Sequence, residues 1–258
     1  MRIDAAAVTH VGLKRENNED NFYINGVYKK DVTEDICICG DTKRRKSYTY
    51  AVCDGVGGVD FGELASLHSV EELVNFDGKD LADRFADFIQ AANDRICLDI
   101  KANGGKRIGS TAALLFITKK RAGICNIGDS RVYLFHEDEL KQISHDHTRR
   151  QRMIDSGEIV ENSGEPAVKD HMLTQFLGVF PTEFKLEPHI VRNIRIKKKD
   201  IFLLCSDGLT DMVSDESLRE IIRDNAAESS EKIVNELIHA AIQNGGRDNI
   251  TAIVAKVI

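Results

Sequence analysis

Short runs of apolar and β-branched residues recur along the chain, separated by polar turns. Runs of this length and composition predict buried β-strands. Three of them, Thr111–Thr118, Ala122–Ile127 and Arg131–Phe135, follow one another across short turns, which is typical of antiparallel pairing. The other predicted strands are Asp4–Val11, Asn21–Val27, Tyr48–Cys53, Leu186–Ile196, Asp200–Ser206 and Asn249–Val257.

Other segments carry an apolar residue every three or four positions, which is the spacing of one face of a helix. The clearest is Leu81–Ala102, which ends at the glycines of Asn103-Gly104-Gly105. Helices on consecutive hairpin strands indicate an α+β fold in which helices pack on antiparallel sheets. The other predicted helices are Glu63–Asn75, Thr148–Ser156, a short helix capped by Ser214 or Asp215, and a helix that begins at Ser229 or Ser230 and stops at Gly245-Gly246.

Two segments lack a regular pattern. Residues Lys29–Ser47 are polar apart from a short apolar run at Ile36–Cys39, and we predict a hairpin extension there. Residues Glu158–Pro181 show little periodicity, which predicts a mobile loop region.

Length, charge and hydropathy narrow the class of protein. A chain of 258 residues with 42% hydrophobic content and no evident linker is expected to form one domain over residues 1–258. Its net charge of −7 argues against a nucleic-acid partner. The basic runs Lys43–Lys46 and Arg192–Lys199 lack interleaved aromatic residues, so we predict solvated hairpin tips, with docking of an acidic phosphopeptide as the alternative. No apolar run is long enough for a membrane span or signal peptide, and we expect a cytoplasmic protein.

The six cysteines do not form a zinc-binding pattern. Cys37 and Cys39 could contribute two thiolates, but no second pair has the spacing to complete a tetrahedral site. Because reduced cysteine behaves as a small apolar residue, we predict that all six are core residues.

Acidic residues stand where several predicted strands end. Asp54 follows Tyr48–Cys53 and precedes Gly55, Gly57 and Gly58, so its carboxylate and the Gly55 carbonyl could both bind a hard divalent cation. Asp207 follows another buried strand and is also followed by glycine. Two further acidic positions lie near the ends of the chain, Asp248 and the pair Glu19-Asp20. Each could be an ordinary turn residue, but together they predict one converging carboxylate centre.

Six short motifs occur in order and resemble those of the metal-dependent serine/threonine protein phosphatases of the PPM (PP2C-type) family, bacterial single-domain type. The resemblance covers Gly12 to Val257 and implies a four-layer sandwich of two mainly antiparallel central sheets, each flanked by a helix pair. It also implies a flap over residues 145–181. The motifs are Arg15-x-x-x-Glu19-Asp20, Asp54-Gly55-x-Gly57-Gly58, Gly109-Ser110-Thr111, Gly128-Asp129-Ser130-Arg131, Ser206-Asp207-Gly208 and Asp248-Asn249.

The resemblance also implies a reaction, the hydrolysis of phosphoserine and phosphothreonine monoesters by water activated between two Mg²⁺ or Mn²⁺ ions. Asp54 is then expected to bind both ions, and Arg15 to bind the substrate phosphate. Asp129 and Asp207 are expected to hold a weaker third ion whose water protonates the leaving group, because Val56 stands where some relatives carry a histidine. The remaining expected metal ligands are Asp207 and Asp248 on one ion and the Gly55 carbonyl with Glu19 or Asp20 on the other.

The implied partners are phosphorylated proteins, including substrates of a cognate Ser/Thr kinase and the kinase itself, with the phosphatase acting as a monomer. Two alternatives stay open. One is a pseudophosphatase that keeps the fold as a binding module, although its intact carboxylates argue against this. The other is a phosphatase specialised for a single regulatory protein.

Two other patterns could be mistaken for a site. Cys125 and Arg131 have the Cys-x₅-Arg spacing of thiol-dependent phosphatases, but in those enzymes the arginine leads into a helix, and here it leads into a predicted strand. His145-Asp146-His147 resembles a metal-binding group. We predict instead that it begins the flap, because no third ligand is near it in sequence.

Overall fold

The computed structural model describes residues 1–57, 61–76, 78, 81–159 and 172–258. Within these residues, two antiparallel sheets of six strands each form the centre of the molecule. The strands are β1 (Ile3–His10), β2 (Asn21–Ile24), β3 (Val27–Tyr28), β4 (Ile36–Asp41), β5 (Tyr48–Cys53), β6 (Gly55–Gly57), β7 (Ile108–Ser110), β8 (Ala112–Ile117), β9 (Arg121–Ile127), β10 (Arg131–His136), β11 (Glu139–Gln142), β12 (His189–Arg195), β13 (Ile201–Cys205) and β14 (Ile250–Val257).

The order of the strands is β11-β10-β13-β14-β1-β4 in sheet I and β12-β9-β8-β5-β2-β3 in sheet II, while β6 and β7 form a separate two-stranded ribbon. Because β1 pairs with β14 from Ile3 opposite Val257 to His10 opposite Ile250, the first and last strands are central neighbours. The backbone pairing extends to the chain ends, where Arg2 and Ile258 exchange hydrogen bonds of 3.4 and 3.0 Å.

Five of the six described helices cover the outer faces of the two sheets. The helices are α1 (Gly62–Phe76), α2 (Phe85–Ala102), α3 (Arg149–Asp155), α4 (Asp207–Thr210), α5 (Asp215–Asp224) and α6 (Ser230–Gln243). The exception is α3, which has no buried residue and contributes to none of the apolar cores. One apolar core lies between α1, α2 and sheet II, a second between the two sheets, and a third between sheet I and α4, α5 and α6. This is the predicted four-layer α+β sandwich, and the prediction is confirmed.

Helix starts follow the predicted capping chemistry. Thr148, Ser214 and Ser229 are the N-caps of α3, α5 and α6, and each side-chain oxygen accepts a hydrogen bond from a backbone N–H in the first turn. The helix predicted from Leu81 is interrupted, because Leu81–Asp83 form a 3₁₀ turn and α2 begins only at Phe85.

Several local predictions were wrong. The strand predicted over Asn21–Val27 is a hairpin that turns at Asn25-Gly26, both with positive φ, which is the backbone that an Asn-Gly turn favours. The apolar run in the predicted extension forms β4, which adds to the edge of sheet I beside β1 rather than forming a hairpin of its own. The second basic run is not a tip, because its first half lies within β12.

The cysteine prediction needs a partial correction. Two of the six, Cys37 and Cys39 on β4, are only half-buried. They lie on an edge strand where only one face of the sheet is covered. The four buried cysteines are Cys53, Cys97, Cys125 and Cys205. Among the described helices, none combines the length and apolar composition that a membrane span requires. A single domain over residues 1–258 stays a prediction.

Candidate active site

The predicted acidic residues meet at one end of the sandwich, around an open cavity of about 530 Å³. Asp54 follows β5, Asp207 begins α4 directly after β13, and Asp248 precedes β14. Asp129 stands in the turn between β9 and β10. The cavity is lined by Arg15, Glu19, Asp54, Gly55, Val56, Arg107, Ile108, Gly109, Asp129, Leu173, Phe176, Asp207, Asp248 and Asn249.

Asp54 and Asp207 interact directly. Burial, followed by the charges of Asp248 and Asp20, raises the pKa of Asp207 to about 7. Burial and then Asp20 and Asp207 raise the pKa of Asp54 well above its ordinary value. The Asp54 side chain lies beside Asp207. Like charges that are close together and buried disfavour the ionised form of each other, so an added cation would favour ionisation of the pair.

Asp129 shares this environment. Its side chain is buried at 7% exposure. Burial raises the pKa of Asp129 well above its ordinary range, and the charges of Asp207 and Asp146 raise it further. Asp207 is thus near enough for its charge to raise the pKa of Asp129, and a shared ion between the two residues stays a prediction.

Asp20 lies behind the cavity and is 1% exposed. One carboxylate oxygen accepts a hydrogen bond of 2.7 Å from Ser206 Oγ, and the other is buried without a hydrogen-bond partner. Burial raises the pKa of Asp20 to about 6 against the opposing effect of the Ser206 hydrogen bond. A buried oxygen without a donor is costly unless a cation or water reaches it.

Glu19 and Gly55 meet at the start of α1. The carboxylate of Glu19 lies beside Gly62, and burial, followed by the charge of Glu63, raises its pKa. A β-carbon on Gly55 would lie 2.2 Å from the carbonyl oxygen of Gly62. Only glycine therefore fits at position 55, so the Asp54-Gly55 motif is also a packing requirement.

Arg15 is at the rim of the cavity, with 51% of its side chain exposed. Its Nη2 donates a hydrogen bond of 2.6 Å to Asp248 Oδ2. The sequence analysis placed Arg15 on the phosphate and Asp248 on a metal ion. The structure brings both to one place, where the guanidinium contacts one of the predicted metal-binding carboxylates.

Two polar residues hold the acidic residues in position, and the sequence analysis quoted both in its motifs without giving them a role. Asn249 accepts a hydrogen bond from the Glu19 N–H at 2.8 Å, and its amide donates to the carbonyls of Val11 and Asn17. Thr111 Oγ1 accepts a hydrogen bond from the Asp54 N–H at 3.0 Å. These contacts join loops that are far apart in sequence. The one signal in the sequence was that each residue is part of a motif.

The Cys-x₅-Arg pattern is not a thiol site. Cys125 is fully buried in the core between sheet II and its helices, and burial raises its thiol pKa, which opposes formation of the nucleophilic thiolate. Arg131 donates to both carboxylate oxygens of Asp146, with a shortest distance of 2.6 Å. It starts β10, as the sequence predicted.

His145, Asp146 and His147 point to different partners. His145 Nε2 is 2.8 Å from Asp155, Asp146 binds Arg131, and His147 Nδ1 accepts a hydrogen bond from the Gly128 N–H at 3.2 Å. The triplet therefore fixes the start of the predicted flap to the β9–β10 turn. Its interior, residues 160–171, lies outside the described residues, as does Gly58 of the glycine motif.

Both described ends of the flap segment are anchored beside the site. Thr148 forms a β-bridge with Leu173, and Leu177 forms one with Ser110 next to Thr111. Leu173 and Phe176 line the cavity. The segment that follows residue 171 therefore supplies an apolar wall to the cavity.

The donors fit a hard divalent cation. The acidic residues around the cavity offer carboxylate oxygens, which favour Mg²⁺ or Mn²⁺ over softer metals, and Asp20 keeps one unpartnered oxygen. Among residues 1–57, 61–76, 78, 81–159 and 172–258, no three His, Cys, Asp or Glu side chains already stand in a ligand arrangement.

Comparison with known proteins agrees with this geometry. The family model described as protein phosphatase 2C matches residues 24–250. The serine/threonine protein phosphatase PstP of Mycobacterium tuberculosis is 31% identical over 259 residues, which cover 98% of this chain and 45% of PstP. The chain thus spans less than half the length of that relative. The serine/threonine phosphatase stp of Listeria innocua is 29% identical, with 96% of this chain and 93% of the relative covered.

Solved structures show the same fold. The crystal structure of the M. tuberculosis phosphatase PstP/Ppp matches with a TM-score of 0.80 at 28% identity, over 100% of this chain and 99% of that one. The catalytic domain of PstP in complex with two manganese ions matches with a TM-score of 0.79 at 29% identity, over 100% of this chain and 99% of that one.

Proposed function

The chain belongs to the protein phosphatase 2C family, and from this we propose that it is a metal-dependent protein serine/threonine phosphatase. The proposed reaction is hydrolysis of phosphoserine and phosphothreonine monoesters. The observation that carries the proposal is that five acidic residues from distant parts of the chain line one open cavity: Glu19, Asp54, Asp129, Asp207 and Asp248. Such a group needs added positive charge to be ionised at neutral pH.

Two Mg²⁺ or Mn²⁺ ions are the proposed source of that charge. We assign Asp54 to both ions and Asp207 with Asp248 to one of them. The Gly55 carbonyl and Glu19 or Asp20 serve the other. Ions bound by these residues would supply acidified water and neutralise charge on the phosphoryl oxygens. The donor set and the unpartnered Asp20 oxygen support the assignment.

Arg15 is the proposed phosphate-binding residue. Its guanidinium is half-exposed at the cavity rim, and its planar fork can donate to two phosphate oxygens at once. The hydrogen bond to Asp248 keeps Arg15 next to the carboxylates, where a substrate phosphate would compete with Asp248 for the guanidinium.

Asp129 is the proposed route for the leaving-group proton. Serine alkoxide is a poor leaving group that must be protonated as the ester bond breaks, and Val56 in the cavity wall carries no proton to give. Asp129 is buried beside Asp207 with a raised pKa. The action of Asp129 together with a weaker third ion stays a prediction from the sequence.

The proposed substrates are phosphorylated proteins, because the relatives are named serine/threonine phosphatases. A cognate kinase as substrate, a single dedicated target, a monomeric state and a cytoplasmic location stay predictions from the sequence.

The proposal is tested by metal removal and by one substitution. Chelation should abolish hydrolysis of a phosphoserine peptide, and Mn²⁺ should restore it. Asp207→Asn should lower kcat by about a thousandfold, since it removes a ligand charge that supports the transition state. Cys125→Ala is the matched control and should retain activity, because this thiol is buried in the core.

Full activity in excess chelator would overturn the metal-dependent mechanism. A folded protein that binds Mn²⁺ and phosphopeptide but turns over neither peptide nor nitrophenyl phosphate would instead be the binding module.

A further inference from the structure

A cluster of positive charge lies beside the cavity of this acidic protein. It consists of Lys101 at the end of α2 and of Lys106 and Arg107 just before β7. Two aromatic rings hold these cations. Lys101 Nζ and the Arg107 guanidinium carbon lie 5.4 and 5.7 Å from the ring centre of Phe180. Lys106 Nζ lies 5.1 Å from the ring centre of Phe61. Contacts of this kind hold cations at a defined place while leaving them hydrated.

Arg107 connects this cluster to the site. It lines the same cavity as the catalytic carboxylates, and with Arg15 it provides the basic side chains of the lining among the described residues. Of these two, Arg15 contacts Asp248. Arg107 lies apart from the carboxylate centre, since its ion pair is with Glu183, at 2.9 Å.

Another carboxylate could take the place of Glu183 in the ion pair with Arg107. The two side chains are 49% and 38% exposed, and exposed ion pairs are weak because water screens them. Glu183 has a second partner, the Phe180 N–H at 2.8 Å. It can therefore stay in place when the guanidinium turns to a different anion, which its planar fork binds well.

We propose that Arg107, with Lys101 and Lys106 beside it, binds an acidic side chain of the substrate near the phosphorylated residue. This rests on the proposed phosphatase function and narrows it to phosphoproteins with a nearby Asp or Glu. A cavity of 530 Å³ that is equally wide in all directions is about 8 Å across. An extended chain advances about 3.3 Å per residue. The acidic residue therefore lies two or three positions from the phosphoserine.

The rest of the cavity lining suits a peptide between the two anions. Val56, Ile108, Leu173 and Phe176 provide an apolar surface. An extended peptide can lie across this surface with its phosphate at the carboxylate centre and its acidic side chain at Arg107.

The experiment compares matched phosphoserine peptides that carry Glu or Gln two and three positions from the phosphoserine, on either side. The readout is the ratio of kcat/KM for the Glu peptide over the Gln peptide, which cancels any loss common to both. We expect a ratio of about 3 to 10 at low salt for at least one position, mostly through KM, falling as salt is added. Arg107→Ala should bring this ratio to about 1, and Lys106→Gln should lower it less.

Two further variants make the test specific. Glu183→Gln should raise the ratio, because it frees the guanidinium of its present partner. Arg219→Ala removes a comparable arginine that pairs with Glu216 at 2.6 Å on α5, and it should leave the ratio unchanged.

A wild-type ratio of 1 at every position would overturn the inference, as would a preference for Glu that survives Arg107→Ala in a folded protein. Failure of the proposed function has a different signature, because the wild-type protein would then hydrolyse neither peptide.

Discussion

Asp129 and Asp146 are both buried and lie close together, yet their surroundings are opposite. Asp146 receives hydrogen bonds from Arg131 on both of its oxygens. The guanidinium also donates to Tyr133, whose hydroxyl donates to Asp215. Asp129 instead faces Asp207, and burial together with that charge raises its pKa despite the nearby Arg131.

The difference separates a structural acidic residue from a functional one. A buried carboxylate with an internal cation contributes to stability only while both partners are present. A buried carboxyl group that lacks such a cation destabilises the protein at neutral pH until an external cation binds. Arg131 thus neutralises the acidic residue that anchors the flap, whereas the charge of Asp129 is left to a cation bound from outside.

The largest expected effect that tests this comparison is on stability. Asp146→Asn should lower the free energy of unfolding by about 3 kcal/mol, because it removes the anion closest to the largely buried guanidinium of Arg131 and leaves only Asp215, at 3.8 Å. Urea denaturation of the metal-free protein measures this change.

The matched control is Asp129→Asn, which removes a repelling charge. It should leave the stability of the metal-free protein unchanged or higher. Equal destabilisation by both substitutions would show that Asp129 and Asp146 do not differ in their contribution to stability.

The next effect is on catalysis. Asp129→Ala should lower kcat on a phosphoserine peptide by about a hundredfold, since general acid catalysis contributes at least that much when the leaving group is poor. The loss on nitrophenyl phosphate should be much smaller, because nitrophenolate leaves almost without a proton. Equal losses on both substrates would mean that Asp129 only stabilises the turn between β9 and β10.

The smallest effect is a pH dependence of stability. In the folded metal-free protein the pKa of Asp207 is raised to about 7 and that of Asp20 to about 6, from an ordinary value of 3.8. Between about pH 4 and 7 the folded state therefore keeps protons that the unfolded state has released, and stability falls as pH rises. Thermal melts in chelator should show a lower Tm at pH 8 than at pH 5.

Saturating Mn²⁺ should reduce this slope, because the ions replace the protons, and Asp207→Asn should reduce it in chelator. A Tm in chelator that rises steadily from pH 5 to pH 8 would show that the cavity acidic residues are not the destabilising groups.

The layer architecture was predictable because its signals are local. Helical periodicity and caps such as Ser229 appear within a few residues, and so do the turns that force consecutive strands such as β8 and β9 to pair. The position of β4 was not predictable in the same way. Its apolar run fits any strand, and only the open edge of β1 determines that it pairs there. The Asn25-Gly26 turn had a clear signal that the sequence analysis missed.

The site was predictable only in part. Motif resemblance identified the acidic residues, but their mutual contacts depend on how distant strand ends meet. Nothing near Arg15 in sequence indicates Asp248 as its partner, because the two are 233 residues apart. The role of Arg107 was invisible for a similar reason, since the aromatic ring and the acidic residue that hold it lie more than 70 positions away.

The pairing of β1 with β14 has a practical consequence for protein engineering. Both strands have their site ends at His10 and Ile250, so the two chain ends emerge together at the opposite end of sheet I. A short linker from residue 258 to residue 1 would close the chain into a ring, and new ends could be opened in the exposed loop at Lys43–Lys46. Such a circular permutant would keep every cavity residue in place. Its new ends would lie at the same corner as residues 1 and 258, because Arg2 Nε donates to the Thr42 carbonyl and Arg44 lies beside Met1 and Ile258, so a reporter or surface tether would stay at the end of sheet I away from the cavity.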